Sequence, residues 1–263
     1  MKLVAVGDNC MDVYESLNQA FPGGNPLNVS VYAVRLGLPA SYIGAVGTDE
    51  NGAIMHKALE SKGVDTSHLK ILEGKTAVTQ VELVSGDRIF GDYDEGVLRN
   101  FKLSDEDVEF ISKHDLMVTG LWGMIENDLH RIKAKRVPIA FDFATKLDHP
   151  TVNIAMPFTD YAFFSYDEGD NEFIRSYIIE KFAMGPKVII VTMGEKGSMA
   201  YDGIKFYHYG IVPCQVVDTM GAGDSYIAGF LKGILEKREI SECMAMGAQS
   251  SSVTLGYLGA WTI

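Results

Sequence analysis

The chain has 263 residues, 47% hydrophobic and 22% charged, and its 23 Lys and Arg against 35 Asp and Glu leave a formal charge of −12. That composition suits one large α/β domain rather than a disordered chain, and the negative balance disfavours nonspecific attachment to nucleic acid or to anionic membranes. Cys10, Cys214 and Cys243 lie far apart with no C-x-x-C pair, so neither a disulfide framework nor a zinc site is expected, and a reducing cytoplasm fits.

Leu3 to Val6 reads as a buried first strand, too short for a signal peptide or a membrane helix. Gly7-Asp8-Asn9 ends it with polar side chains at the place where ligands collect in open parallel sheets. Asp12 to Tyr14 is expected as a short edge strand. Gly23-Gly24 then precede a helical pattern in Val29, Ala33, Leu36 and Leu38, and such glycines let main chain come close to a ligand. Asn25 and Asn28 carry amides that can serve sugar hydroxyls or cap that helix. Tyr42 to Gly47 reads as a second strand, followed by a helix through Ile54 and Leu59.

Residues 64–100 change character. Thr76 to Val84 alternates in the strand manner, Ser85-Gly86-Asp87 turns, and Arg88 to Tyr93 runs back, which predicts a hairpin in a small sheet set apart from the main one. Beyond it, helices are expected over Leu103–Lys113, with Ser104 as N-cap, over Asn127–Lys135 and over residues 171–183. Strands are expected over Asp115–Gly120, Val137–Asp142, Asp160–Ser165 and Lys187–Thr192. This alternation predicts a parallel sheet with helices on both faces. The six histidines show no metal-ligand spacing and read as surface residues.

The most informative stretch is Asp218-Thr219-Met220-Gly221-Ala222-Gly223-Asp224, which places a Gly-rich turn ahead of a helix patterned by Tyr226, Ile227, Phe230 and Leu231. Free N–H groups and the helix dipole at such an end attract an anion, usually a phosphate. A carboxylate there repels the same anion, unless Asp224 accepts the proton of a hydroxyl while the turn holds the charge of a moving phosphoryl group. Helix capping is the plainer role for the same residues. The last helix, Cys243 to Val253, is rich in small residues, which suits either an adenine or close helix packing. No G-x-x-x-x-G-K-[ST] occurs, the first strand lacks G-x-G-x-x-G, and Ile227 breaks a G-x-S-x-G elbow around Ser225.

The 218–224 stretch matches all seven positions of the D-T-x-G-A-G-D signature, and by it the chain resembles the ribokinase or PfkB family of sugar and nucleoside kinases. Gly23, Gly24 and Asn28 fit the family's G-G-x-x-x-N, Gly44, Val46, Gly47 and Asp49 its G-x-V-G-x-D, and Thr192, Gly194 and Gly197 its T-x-G-x-x-G. The family's N-x-x-E is matched at Glu168 but carries Ser165 for Asn, which puts a phosphate contact from that position in doubt. The resemblance implies a ribokinase-like α/β fold over residues 1–263: a central, mostly parallel sheet flanked by helices on both faces, with a small β lid from about 10–16 and 64–100.

It further implies ATP as phosphoryl donor, with Asp224 as general base and Gly221, Ala222 and Gly223 as the anion turn. Asp8, Asp12, Gly23, Gly24, Asn25, Asn28 and Arg88 would meet the substrate, and Thr192, Gly194, Gly197 and Glu168 the nucleotide. Glu168 would act on Mg²⁺ through water, and the Asp218 and Thr219 end suits a K⁺ ion. The partner is a small sugar or sugar-amine molecule, with a homodimer contact through the lid. Gly7 to Tyr14, Asp87 to Val97 and Gly259-Ala260-Trp261 resemble the branch that phosphorylates O6 of fructosyl-amino acids such as fructoselysine. Asp8, Asp12, Asp92, Asp94 or Glu95 could meet the amine of such a substrate, and Arg88 its carboxylate. A kinase for a plain ketose or nucleoside, or a binding protein without catalysis, is the alternative.

Overall fold

The computed structural model describes residues 1–14, 19–84 and 87–261, the side chains at 83, 84 and 87–90 excepted. In chain order the first half contains β1 (Leu3–Val6), β2 (Cys10–Tyr14), β3 (Gln19–Gly23), α1 (Asn25–Arg35), β4 (Ala40–Ile43), β5 (Ala45–Gly47), α2 (Glu50–Ser61), β6 (Lys70–Leu72), β7 (Val78–Val84) and β8 (Asp87–Asp94). There follow α3 (Asp105–Ile111), β9 (Leu116–Gly120), α4 (Leu129–Ala134), β10 (Ile139–Asp142), α5 (Pro150–Ala155), β11 (Tyr161–Ser165), α6 (Glu172–Phe182), β12 (Val188–Thr192), β13 (Ser198–Tyr201), β14 (Phe206–Tyr209), α7 (Ala222–Leu235) and α8 (Ile240–Thr254).

The main sheet runs β14-β13-β12-β11-β10-β9-β1-β4. It is parallel from β4 to β12, and β13 and β14 close it as antiparallel strands. Its strands are apolar on both faces because alternate side chains feed two cores. Leu3, Ala5, Leu116, Val118, Phe163 and Ile190 join α1, α7 and α8 on one side. Val4, Val6, Met117, Phe141, Phe164 and Val191 join residues of α3 to α6 on the other. Stacked rings of Phe141, Phe143 and Phe164 sit in the second core at centroid spacings of 4.4 and 4.9 Å.

A second sheet is ordered β3-β2-β7-β8, and β5 pairs with β6 in a separate ribbon. The expected hairpin is β7 and β8, but β2 lies inside its sheet rather than at an edge. The edge is β3, where Pro22, unable to donate to a ladder, is tolerated. Asp49 caps α2 by accepting from the Gly52 N–H, and it also takes the Thr76 hydroxyl at 2.6 Å and the Thr76 N–H at 3.1 Å. One carboxylate thereby ties the base of β7 to the start of α2. His114, expected at the surface, is buried between α3 and β4, with its ring nitrogens bonded to Ser41 Oγ and the Phe110 carbonyl.

Candidate active site

The C-terminal ends of β1, β9 and β10 meet the N-termini of α1 and α7. Gly221 is the N-cap of α7 in a left-handed conformation (φ 72°), and a Cβ there would strike the Tyr32 hydroxyl. Ala222, Gly223 and Asp224 form the first turn, ahead of Ser225, whose N–H closes the first helical bond on the Gly221 carbonyl at 2.8 Å. The end of the signature thus forms the N-cap and first turn of α7.

On one side of this turn lies a cavity of about 560 Å³, the size of a small-molecule site. Its walls include Ser165, Asp167, Thr192, Gly194, Gly197, Thr219, Ala222, Gly223, Ser251 and Ser252. A Cβ on Gly223 or Gly194 would meet nothing within 4 Å of protein, so both glycines keep open space beside the turn. Among the described residues no Lys or Arg lines it, so an anion must be held by backbone N–H groups, the helix dipole and any cation it brings. Gly229, Gly233 and Gly247 serve a different purpose: a Cβ on Gly229 would come within 2.5 Å of the Met246 carbonyl, so these glycines let α7 and α8 cross closely. Ala248 and Ser251 of α8 face the cavity, so the small residues of this helix serve both its packing on α7 and the cavity wall.

On the other side of the turn, Asp224 is enclosed by amides. Asn28 donates to its Oδ2 at 2.7 Å and Asn25 to its Oδ1 at 2.6 Å. The Trp261 indole N–H donates to Asn28 Oδ1 at 2.9 Å and so fixes which end of that amide faces Asp224. Asn25 also donates to Asp142 Oδ2 at 2.7 Å. Burial pushes the Asp224 carboxyl up to about 6, opposed by the Asn28 and Asn25 bonds. Burial likewise lifts Asp142 to about 7, with the nearby charges of Asp224 and Asp8 adding to it. Asp8 is also lifted to about 7 by burial, against the Asn25 backbone N–H that donates to it at 3.2 Å. Its other oxygen, Oδ1, is buried without a hydrogen-bond partner among the described residues, which leaves an acceptor for a ligand.

Gly23 and Gly24 pass close to these acids: a Cβ on Gly23 would strike the Asp12 carboxylate, and one on Gly24 would lie 2.5 Å from Asn9 Cα. Asp12 faces the same way as Thr79, its partner on β7, and Thr79 in turn pairs with Tyr93 of β8. Tyr93 therefore shares the Asp12 face, and burial together with the Asp8 charge raises its phenol. Asp92 and Asp94 fall on the opposite face, where with Asp49, Lys75 and Gln80 they line a second cavity of about 370 Å³. The side chain of Arg88 lies outside the described residues.

Thr192, Gly194 and Gly197, which the resemblance assigned to the nucleotide, line the large cavity, and Thr219 joins them. Glu168 does not line it; it is exposed and accepts from the Tyr166 hydroxyl at 2.8 Å, while its neighbour Asp167 takes a place in the wall. Asp218 is buried and accepts the N–H groups of Met220 and Gly259 at 2.7 and 2.8 Å. Asp142, Tyr93 and Asp167 were not assigned to the site from sequence. Asp142 carried a usable signal, since it ends a parallel strand as Asp8 follows one.

Residues 10–262 match the pfkB family carbohydrate kinase profile. The chain is 42% identical over 259 residues to the fructoselysine 6-kinase of Shigella flexneri, covering 98% of this chain and 99% of that protein. It is 36% identical to the fructosamine kinase FrlD of Bacillus subtilis, covering 99% and 93%. Among solved structures, the Arabidopsis thaliana ribokinase complexed with ribose and ATP superposes with a TM-score of 0.89 at 23% identity, covering 98% of this chain and 93% of that one. An E. coli protein described as a ribokinase II, in complex with ATP and Mg²⁺, gives 0.85 at 20% identity, covering 98% and 94%. Helices on both faces of a mostly parallel sheet, the D-T-x-G-A-G-D signature at the start of α7 and these likenesses agree: the chain belongs to the pfkB family of carbohydrate kinases.

Proposed function

We propose that this kinase transfers the γ-phosphoryl group of ATP to the O6 hydroxyl of a fructosyl-amino acid such as fructoselysine. The observation that carries the chemistry is Asp224, a half-buried carboxylate at a helix N-terminus with both oxygens held by amides and a cavity of about 560 Å³ beside its turn. The substrate class rests on the 42% and 36% identical relatives.

In this reading Asp224 takes the O6 proton as the new O6–P bond forms and the bridging P–O bond to ADP breaks. Asn25 and Asn28 keep the carboxylate aimed, and the first turn of α7 stabilises charge on the transferred group. Asp8, through its unpartnered Oδ1, accepts from a substrate hydroxyl or amine, and Asp12 and Tyr93 flank that position. Among the described residues no three His, Cys, Asp or Glu are grouped to hold a metal, so Mg²⁺ would travel with the nucleotide phosphates, with Glu168 or Asp167 within reach through water. When bound, it neutralises charge on the β and γ phosphates. We also propose K⁺ near Asp218 and Thr219, read out as activation by K⁺ over Na⁺.

The test is ATP turnover with fructoselysine, other fructosyl-amino acids, fructose, ribose and adenosine side by side. The expected result is the highest kcat/KM for a fructosyl-amino acid, with phosphate on O6. Preference for a plain sugar or a nucleoside would overturn the substrate and keep the kinase.

A further inference from the structure

The two amides that hold Asp224 are not secured alike. Asn28 is locked by Trp261, a donor that only its oxygen can accept. Asn25 has no such lock, because its Oδ1 is buried with no hydrogen-bond partner among the described residues, close to Gly120, where a Cβ would lie 2.5 Å away. Its nitrogen instead faces two carboxylates, Asp224 Oδ1 at 2.6 Å and Asp142 Oδ2 at 2.7 Å, and an amide has two N–H bonds to give. Both are spent there, so Asn25 has no donor left for a sugar hydroxyl. Asp142 is itself held: the Ala144 N–H donates to its Oδ1 at 2.9 Å, and Ala144 adopts a left-handed conformation (φ 49°) that non-glycine residues reach only at a cost.

We infer that Asp142 is a positioning residue for the base, acting through Asn25 as Trp261 acts through Asn28. Without Asp142 the Asn25 amide has little reason to keep its nitrogen toward Asp224, and one of the two bonds orienting the base is lost. The inference rests on Asp224 being that base.

The experiment is a double-mutant cycle of Asp142→Asn and Asn25→Ala in the full chain, with kcat and both KM values measured on fructoselysine and ATP, and thermal melts on every variant. Asp142→Asn is expected to lower kcat about 10- to 100-fold, the worth of one hydrogen bond to a charged group, with both KM values close to native. In the Asn25→Ala background the same change should lower kcat no further. A native kcat for Asp142→Asn, or an equal loss with and without Asn25, would overturn the inference. If Asp142→Asn does not fold, Asp142→Ser, which leaves room and no charge, is read the same way. A near-native rate in Asp224→Asn overturns the base itself; a native Asp142→Asn beside an inactive Asp224→Asn overturns the positioning role alone.

Discussion

In the proposed mechanism Asp224 must stay ionised next to a triphosphate and yet be basic enough to take a proton. Its enclosure meets both demands, since two amide donors favour the charged form while burial keeps the carboxyl at about 6 instead of the ordinary 3.8. In that mechanism the base works only when deprotonated and its neighbours Asp8 and Asp142 stand at about 7, so kcat should climb with pH between about 6 and 7 and level off above; a profile flat down to the ordinary carboxylate range would contradict this. Asp224 and Asn28, which meet in the structure, could be singled out in the sequence because each lies in a short motif that resembles the family's. Asp142 showed only its place at the end of a parallel strand; its pairing with Asn25, 117 residues away, depends on the strand order that brings them together.

At the level of elements, the start of α7 separates two kinds of glycine that look alike in sequence. Gly223→Ala adds a Cβ into open space, and inside a helix alanine is the better former by about 1 kcal/mol, so the melting temperature should hold or rise while KM for ATP increases about tenfold or more. Gly229→Ala puts its Cβ 2.5 Å from the Met246 carbonyl and should cost about 1–3 kcal/mol of stability through overpacking, seen as a lower melting temperature. The reverse pattern would contradict the assignment of the two sites. Most elements were readable from periodicity and caps, including the Ser104 capping box of α3. The strand β3 was hidden by Pro22 and Gly23, and α5, with six residues, is under two turns and leaves little periodic signal.

Over the whole molecule, the alternation of apolar strands with helices made the two-faced sheet legible, whereas the order of strands in the small sheet depends on long-range pairing that no local pattern encodes. The cluster also marks the pH dependence of stability. Asp8 and Asp142 at about 7 and Asp224 at about 6 sit above their unfolded values, so their stabilising contribution is complete below the ordinary carboxylate pKa and is lost as pH rises through 6 to 7. Asp107 works the other way: against its burial, bonds from His68, Lys70 and Ser104 hold it at about 2, so its contribution is present above the ordinary carboxylate pKa and lost only as pH falls toward 2. Asp8→Asn should therefore raise the urea midpoint above pH 7 and leave it nearly unchanged only below about pH 4. A midpoint lowered above pH 7 would contradict the cost assigned to the buried acids. The measurement that bears most directly on the account is turnover of Asp224→Asn beside the native protein on fructoselysine and ATP above neutral pH. The account predicts a fall in kcat of about 10²- to 10⁴-fold with the fold intact; a near-native rate would remove Asp224 from the chemistry.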